Sequence, residues 1–180
     1  MVAGADRAAV GAIRDGFMNR RFRLYTSEDA AGVEYGGALK NVIALAAGIN
    51  DGMDLGDSAK AALMTRGLVE IARLGEALGA RRETFGGLSG MGDLIVTCTS
   101  RHSRNRAVGE RLGRGEKLSE IMGGMKMVAE GVWTCGAAVS LARSRDIEMP
   151  VTEEVRRIVH DGKDPRRAME DLMGREARPE

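Results

Sequence analysis

The sequence predicts a mostly all-α, multi-helical domain with one short strand near its start. Three observations carry that prediction. Aromatic residues make up only 3% of the chain, whereas Ala, Leu, Met, Glu and Arg, which favour helix over sheet, are plentiful. Apolar residues recur at helical spacing in one segment after another, opened by Ser, Thr or Asp and closed by Gly or Pro. Only residues 22–26 alternate as a strand does. At 180 residues the chain suits one main domain with a substantial core.

Residues 5–18 carry Val10, Ile13, Phe17 and Met18 at helical spacing, which predicts a short amphipathic helix. Phe22-Arg23-Leu24-Tyr25-Thr26 then alternates like a strand. A strand needs a partner, and no other segment offers a convincing one. It therefore reads as an orphan, either the tail of a sheet whose other strands are missing from this chain or an extended linker.

Thr26-Ser27-Glu28-Asp29 supplies cap residues and first-turn acids for a long helix carrying Val42, Ile43, Leu45, Ala46 and Ile49, which Asn50-Asp51-Gly52 ends. Asp57-Ser58 caps a second long helix, with Leu63, Leu68, Ile71, Leu74 and Leu78 inward and Gly79 as its stop. A glycine-rich loop follows, Thr84-Phe85-Gly86-Gly87-Leu88-Ser89-Gly90-Met91-Gly92-Asp93. Leu94-Ile95-Val96-Thr97-Cys98 reads as a buried helical segment, its β-branched residues leaving a strand open. Ser103 caps a helix running to about Leu112, with Gly113 and Gly115 beyond it. Val128-Ala129-Glu130-Gly131 leads into another helix, through Val139 and Leu141, that Pro150 stops. Thr152-Glu153-Glu154 opens one that Gly162 closes, and Asp164-Pro165 starts the last. Trp133 and the eleven methionines read as core, and residues 175–180 as a frayed tail.

Charge and composition exclude several classes. A net charge of +1 provides no field toward nucleic acid or a membrane surface. Stacking aromatics are too few for a nucleic-acid module. No apolar run reaches membrane-spanning length. Charge follows Met1-Val2-Ala3-Gly4 at once, so no signal peptide is expected. Cys98 and Cys135 lack zinc spacing and read as reduced thiols of a cytosolic protein. His102 and His160 share no ligand spacing, so no metal site is expected.

Three features point to chemistry. Gly36 and Gly37 lie one turn before Lys40 on the long helix, on its side of it. Side chains lean toward the helix N-terminus, so the Lys40 amine projects over bare backbone, as in a notch. Alone, such a lysine is more often a solvated one beside glycines that let another helix pack closely. Second, Asp93 sits at a helix start after the glycine-rich loop, where backbone donors can hold a carboxylate ionised. That loop is neither a G-x-G-x-x-G fingerprint nor a P-loop. Third, Ser103-Arg104-Asn105-Arg106 puts a capping hydroxyl, backbone N–H groups and guanidinium donors at one helix start, which suits a phosphate monoester.

Assembled in order, these segments resemble a known family. Gly37-Ala38-Leu39-Lys40-Asn41-Val42, Ala61-Ala62-Leu63-Met64-Thr65-Arg66-Gly67, Gly90-Met91-Gly92-Asp93-Leu94, Thr97-Cys98-Thr99-Ser100, Ser103-Arg104-Asn105-Arg106, Val128-Ala129-Glu130-Gly131 and Glu148-Met149-Pro150 are similar to the C-terminal, substrate-binding domain of bacterial-type NAD(P)-dependent glycerol-3-phosphate dehydrogenases. The resemblance implies the 6-phosphogluconate dehydrogenase C-terminal-domain-like fold. It implies Lys40 as catalytic acid/base, and Asp93, Ser103, Arg104 and Asn105 as residues holding glycerol 3-phosphate or dihydroxyacetone phosphate. Asn41 and Thr97 match further positions near the substrate, and Arg104, Val128 and Glu130 match contacts to NAD or NADP. A free lysine titrates near about 10.4, so burial or cationic neighbours are expected to lower it.

Tyr35 and Ser58 stand where the family usually has an aliphatic residue and Asn. The larger departure is that the chain contains no Rossmann glycine loop and no second substrate lysine. Residues 1–26 resemble the closing helix and strand of that Rossmann domain, and residues 27–174 the helical substrate domain. The 180 residues are expected to fold alone, to be inactive without the missing Rossmann domain, and to self-associate, with a homodimer as one outcome. The alternative is a non-catalytic fragment that binds a phosphorylated metabolite or a partner chain.

Overall fold

The structure, a computed structural model, describes residues 1–125 and 127–176. In chain order the elements are β1 (Val2–Ala3), α1 (Arg7–Phe17), β2 (Thr26–Ser27), α2 (Ala30–Gly52), α3 (Asp57–Ala77), α4 (Arg82–Phe85), a π-helical turn (Leu88–Gly92), α5 (Asp93–Thr99), α6 (Arg104–Gly113), α7 (Leu118–Gly123), α8 (Gly131–Arg143), α9 (Pro150–Asp161) and α10 (Pro165–Met173). The mostly all-α expectation holds. Of the two options at residues 94–98, the structure takes the helix, and α7 is a helix the sequence pattern did not announce.

α2 is the axis of the fold. From Leu39 to Asn50 every residue except Lys40 is buried, because α3, α5, α6, α8 and α9 surround it. A helix enclosed this way is apolar on nearly all faces, which is why Val42 to Ala47 is an unbroken apolar run. The most extensive contact, between α2 and α6, is made by backbone. A Cβ on Gly48 would lie 2.0 Å from the Arg106 carbonyl oxygen, and one on Gly109 2.0 Å from that of Leu45. Gly52 and Gly113 repeat the contact one turn later, at 2.1 Å from Glu110 O and 2.4 Å from Ile49 O. Four glycines, two from each helix, therefore serve this crossing.

Two buried carboxylates join elements far apart in sequence. Glu70 of α3 accepts from Val151 N (2.6 Å), Thr152 N (3.0 Å) and Thr152 Oγ1 (2.8 Å), capping α9 from outside. Burial pushes the Glu70 carboxyl up despite these three bonds. Asp29 caps α2 through Gly32 N (2.9 Å) and also takes Arg81 N (2.9 Å) and Thr84 Oγ1 (2.6 Å). Burial raises it, but the bonds from Thr84, Gly32 and Arg81 together hold it below the usual carboxylate range.

The start of the chain differs from expectation. The strand is not an orphan: β2 pairs in parallel with β1, Val2 opposite Thr26 and Ala3 opposite Ser27. The ladder is two residue pairs long and begins where the alternating segment ends, since Asn19 Oδ1 gathers Arg21 N and Phe22 N into a turn. Asp6 caps the crossover helix α1 through Ala8 N and Ala9 N. Only Val10 of its apolar face is buried, while Ile13, Phe17 and Met18 stay exposed with Phe22 and Tyr25.

Trp133 is not core: it is 65% exposed on the first turn of α8. Met1, Met18, Met91, Met127 and Met173 are exposed too. Arg175, placed in the fraying tail, pairs with Glu148 Oε2 at 3.0 Å, and residues 177–180 of that tail lie outside the described residues.

Candidate active site

Lys40 emerges from the buried stretch of α2 as its one partly exposed residue. The two glycines before it have different jobs. A Cβ on Gly36 would lie 2.8 Å from the Ser89 carbonyl oxygen, so Gly36 admits the backbone of the π-helical turn, whereas Gly37 faces open space. The notch thus has one wall of backbone and one open side. A π-helical turn is rare and recurs at functional sites. Here it ends on Asp93, the first residue of α5, whose Oδ2 pairs with the Lys40 ammonium. Thr97 Oγ1 donates to Asp93 O (2.6 Å) and lies 3.3 Å from Asp93 Oδ1. The partner provided for Lys40 is thus an anion, where burial or cationic neighbours were expected.

The next residue on α2 opens a second group. Asn105 Nδ2 donates to Asn41 Oδ1 (2.9 Å), and Asn105 Oδ1 accepts from Gly131 N (2.9 Å). Asn41 Nδ2 in turn reaches Glu130 Oε2 (3.3 Å) and Gly37 O (3.4 Å). This chain of amides ties α2, α6 and the start of α8 together, and leaves both buried Asn side chains satisfied. Asn105, expected to hold substrate, has both ends of its amide engaged with the protein, and its backbone N–H is what it can offer a ligand. Glu130 was expected on the cofactor side. Its carboxylate also orients Asn41, a role 89 positions away that no sequence spacing could signal.

Ser103 caps α6 by accepting from Arg106 N (3.3 Å). The N–H groups of Arg104 and Asn105, in the first turn, have no acceptor within the helix. Arg104 NH1 donates to Val128 O at 2.8 Å, strapping the 128–130 segment to the α6 start, while Arg106 turns away to Asp51. Lys40, Asp93 and Thr97 therefore form one cluster, and Asn41, Asn105, Glu130, Arg104 and Val128 the other. Lys40 and Asn41, consecutive on α2, join them. Such an arrangement can hold a proton beside a carboxylate and accept an anion at a helix N-terminus.

The residues fit the nicotinamide end of a dinucleotide only. Val128 is 51% exposed and Glu130 is exposed beside it, so they can wall a ring. A pyrophosphate seat is another matter. Among the described residues the one βαβ unit is β1–α1–β2, and its helix N-terminus is filled by the Asp6 carboxylate. That anion takes the donors a pyrophosphate would need.

Outside this region, His160 Nε2 stands 3.5 Å from Cys135 Sγ, a proximity hidden by their sequence separation. Burial pushes that thiol up to about 11. Among the described residues no three His, Cys, Asp or Glu converge on a metal position.

Residues 29–170 match the family described as NAD-dependent glycerol-3-phosphate dehydrogenase C-terminus. The chain is 52% identical over its full 180 residues to the glycerol-3-phosphate dehydrogenase [NAD(P)+] of Geobacter sulfurreducens, covering 54% of that protein. It is 58% identical over 164 residues to the Bacillus licheniformis enzyme of the same name, covering 91% of this chain and 47% of the relative. Among solved structures, Coxiella burnetii glycerol-3-phosphate dehydrogenase superposes with a TM-score of 0.91 at 40% identity, over 96% of this chain and 53% of that one. The Saccharomyces cerevisiae enzyme gives 0.82 at 29% identity, over 92% and 48%. The chain spans about half the length of the curated relatives it matches.

Proposed function

The chain belongs to the family of NAD-dependent glycerol-3-phosphate dehydrogenase C-terminal domains, and on that premise we propose that it is the substrate-binding half of an enzyme that reversibly reduces dihydroxyacetone phosphate to sn-glycerol 3-phosphate. The observation that carries this reading is the Lys40 ammonium, paired with Asp93 and one residue along α2 from the amide chain that anchors the α6 start.

In this reading Lys40 gives a proton to the ketone oxygen during reduction and takes it back in the reverse direction. Asp93, steadied by Thr97, holds the amine in place. Ser103 orders the first turn of α6, where the N–H groups without an acceptor in the helix and the Arg104 guanidinium receive the phosphate. Anchoring the phosphate away from the reacting carbon turns binding energy into orientation. Asn41 and Asn105 tie the α6 start to α2 next to Lys40. Arg104, Val128 and Glu130 wall the side on which NAD or NADP, when bound, supplies or accepts the hydride. The remaining grip on that cofactor is assigned to a Rossmann half that joins this domain. Two apolar surfaces support such a partner half. Ile13, Phe17, Phe22 and Tyr25 are exposed on the N-terminal unit, and Leu88, Met91, Ile95 and Val96 beside Asp93. We accordingly assign residues 1–26 to the end of the missing domain and 27–174 to the substrate domain.

The test joins this chain to the N-terminal half of a relative and assays dihydroxyacetone phosphate reduction. Lys40→Met should cut turnover by about 100-fold or more, the scale of general acid–base help. Near-normal turnover in the folded variant rules the role out. Arg104→Ala should weaken glycerol 3-phosphate far more than glycerol, and the 180-residue chain alone should show no turnover.

A further inference from the structure

The α2–α6 crossing brings the acid/base helix against the helix whose start receives the anion. At its closest it sets Gly48 and Gly52 against the backbone of Arg106 and Glu110, and Gly109 and Gly113 against that of Leu45 and Ile49. Ridges seated in grooves normally fix the register of two helices, and at these four positions there is no ridge. Polar contacts can then set the register, and two hold the first turn of α6. One is Asn41–Asn105, described above. The other lies ten residues along α2, about 15 Å further on. Asp51 Oδ2 accepts from Arg106 Nε at 2.6 Å and from Lys60 Nζ of α3 at 2.8 Å, with Arg106 NH2 also 2.6 Å away. The three side chains are only 13–19% exposed. Arg106 NH1 also stands 3.5 Å from Glu110 Oε2, within α6 itself.

The motif Ser103-Arg104-Asn105-Arg106 thus contains two arginines of opposite use. Arg104 faces the 128–130 segment and Arg106 is turned the other way, into a partly buried charge cluster. Asn105 and Arg106, adjacent in sequence, are pulled toward opposite ends of the buried stretch of α2. A helix start stretched between two such contacts can neither slide along α2 nor rotate on it without breaking one.

We propose that Asp51 is a positioning residue: by holding Arg106 against α2 and α3 it sets the separation between the Lys40 ammonium and the anion-accepting start of α6. The functional part of this inference rests on the roles given above to Lys40 and Arg104. The mechanical part rests on the contacts alone. A three-carbon phosphate ester has a limited reach, so too wide a separation costs either proton transfer or phosphate grip. Lys60 balances the charge and ties the same carboxylate to α3, so the register of α6 is referred to two helices at once.

The experiment uses the 180-residue chain and two readouts. Amide hydrogen exchange in Asp51→Asn should accelerate by about tenfold at Ala107 and Val108, in the first turns of α6, with α8 and α9 unchanged. A uniform acceleration, or none at α6, overturns the proposal. Glycerol 3-phosphate binding, followed by chemical shifts, should weaken by about tenfold in Asp51→Asn and in Arg106→Gln. The double variant should be no weaker than the worse single one, and Asp51→Glu should recover part of the loss. Additive losses would mean that Arg106 contacts the anion independently, and would sink the idea. Should Asp51→Asn not fold, Arg106→Gln removes the same contact and leaves Asp51 paired with Lys60. If the unsubstituted chain binds no glycerol 3-phosphate, the substrate reading fails, while exchange at α6 still decides the clamp.

Discussion

The two ends of α2 meet opposite surroundings. From Leu39 to Asn50 five helices enclose it, and its glycines press on the backbone of α6. At its start, Asp29 joins it to a β1–α1–β2 unit whose apolar residues are mostly exposed and whose α1 glycines touch nothing. Both regions carry amphipathic spacing in the sequence, yet only one closes its own core. The comparison teaches that periodicity announces a face needing cover and does not say whether this chain supplies the cover.

That contrast can be broken most directly at the crossing. Gly109→Ala should destabilise the chain by roughly 3 kcal/mol or more, since the added carbon meets rigid backbone at 2.0 Å. Urea unfolding measures it, and a loss under about 1 kcal/mol would show that the helices part cheaply. Next comes Glu70→Ala, which leaves the start of α9 without its buried acceptor. About 2–3 kcal/mol is expected from the bonds lost and the donors stranded, with α9 amides exchanging first.

A pH titration separates the regions by sign. The Asp29 carboxyl lies below its usual 3.8 in the folded chain, so its contribution is present above that value and is lost as pH falls through the lower folded value. Glu70 is raised above its usual 4.5, so its protonation favours the fold, and that contribution is lost as pH rises through the raised value. Acid below about pH 3.8 should therefore loosen the start of α2 and the Arg81–Thr84 contact, while the α3–α9 junction holds. Exchange that speeds up at α9 before the start of α2 would reverse this order.

The smallest effect sharpens the comparison from the open side. Gly16→Ala in α1 meets no atom within 4 Å and should strengthen that helix by about 0.5–1 kcal/mol. Slower exchange confined to α1 is the expected result. A destabilisation would mean that another surface packs on α1 in solution.

Much of the fold was legible from local signals. The caps at Asp29, Ser103 and Asp164, the stop at Gly162 and the inward leucines of α3 all act within a few residues of themselves, and the structure uses each of them. The candidate site was legible as a set of residues, because Lys40, Asp93 and the Ser103–Asn105 helix start each belong to a short motif. What escaped were relations across the chain. The β1 partner of β2 is two residues long and too short to show a pattern. Trp133 has core composition but falls on the outer side of α8. Spacing alone did not say which arginine of the Ser103–Arg106 motif faces the site, because both lie in the same turn; the resemblance named Arg104, and the pairing of Arg106 with Asp51 separates the two.

By itself the sequence determined most of the helices, several of their ends and the residue types able to handle a proton and a phosphate, since those depend on spacing, capping and intrinsic chemistry. Tertiary structure alone decided which glycines approach which carbonyls, that Glu70 caps a helix 80 residues away, and that Asp93 meets Lys40. These are distances between segments separated by many tens of residues. They follow from how α2 is enclosed, which no local window of the sequence contains.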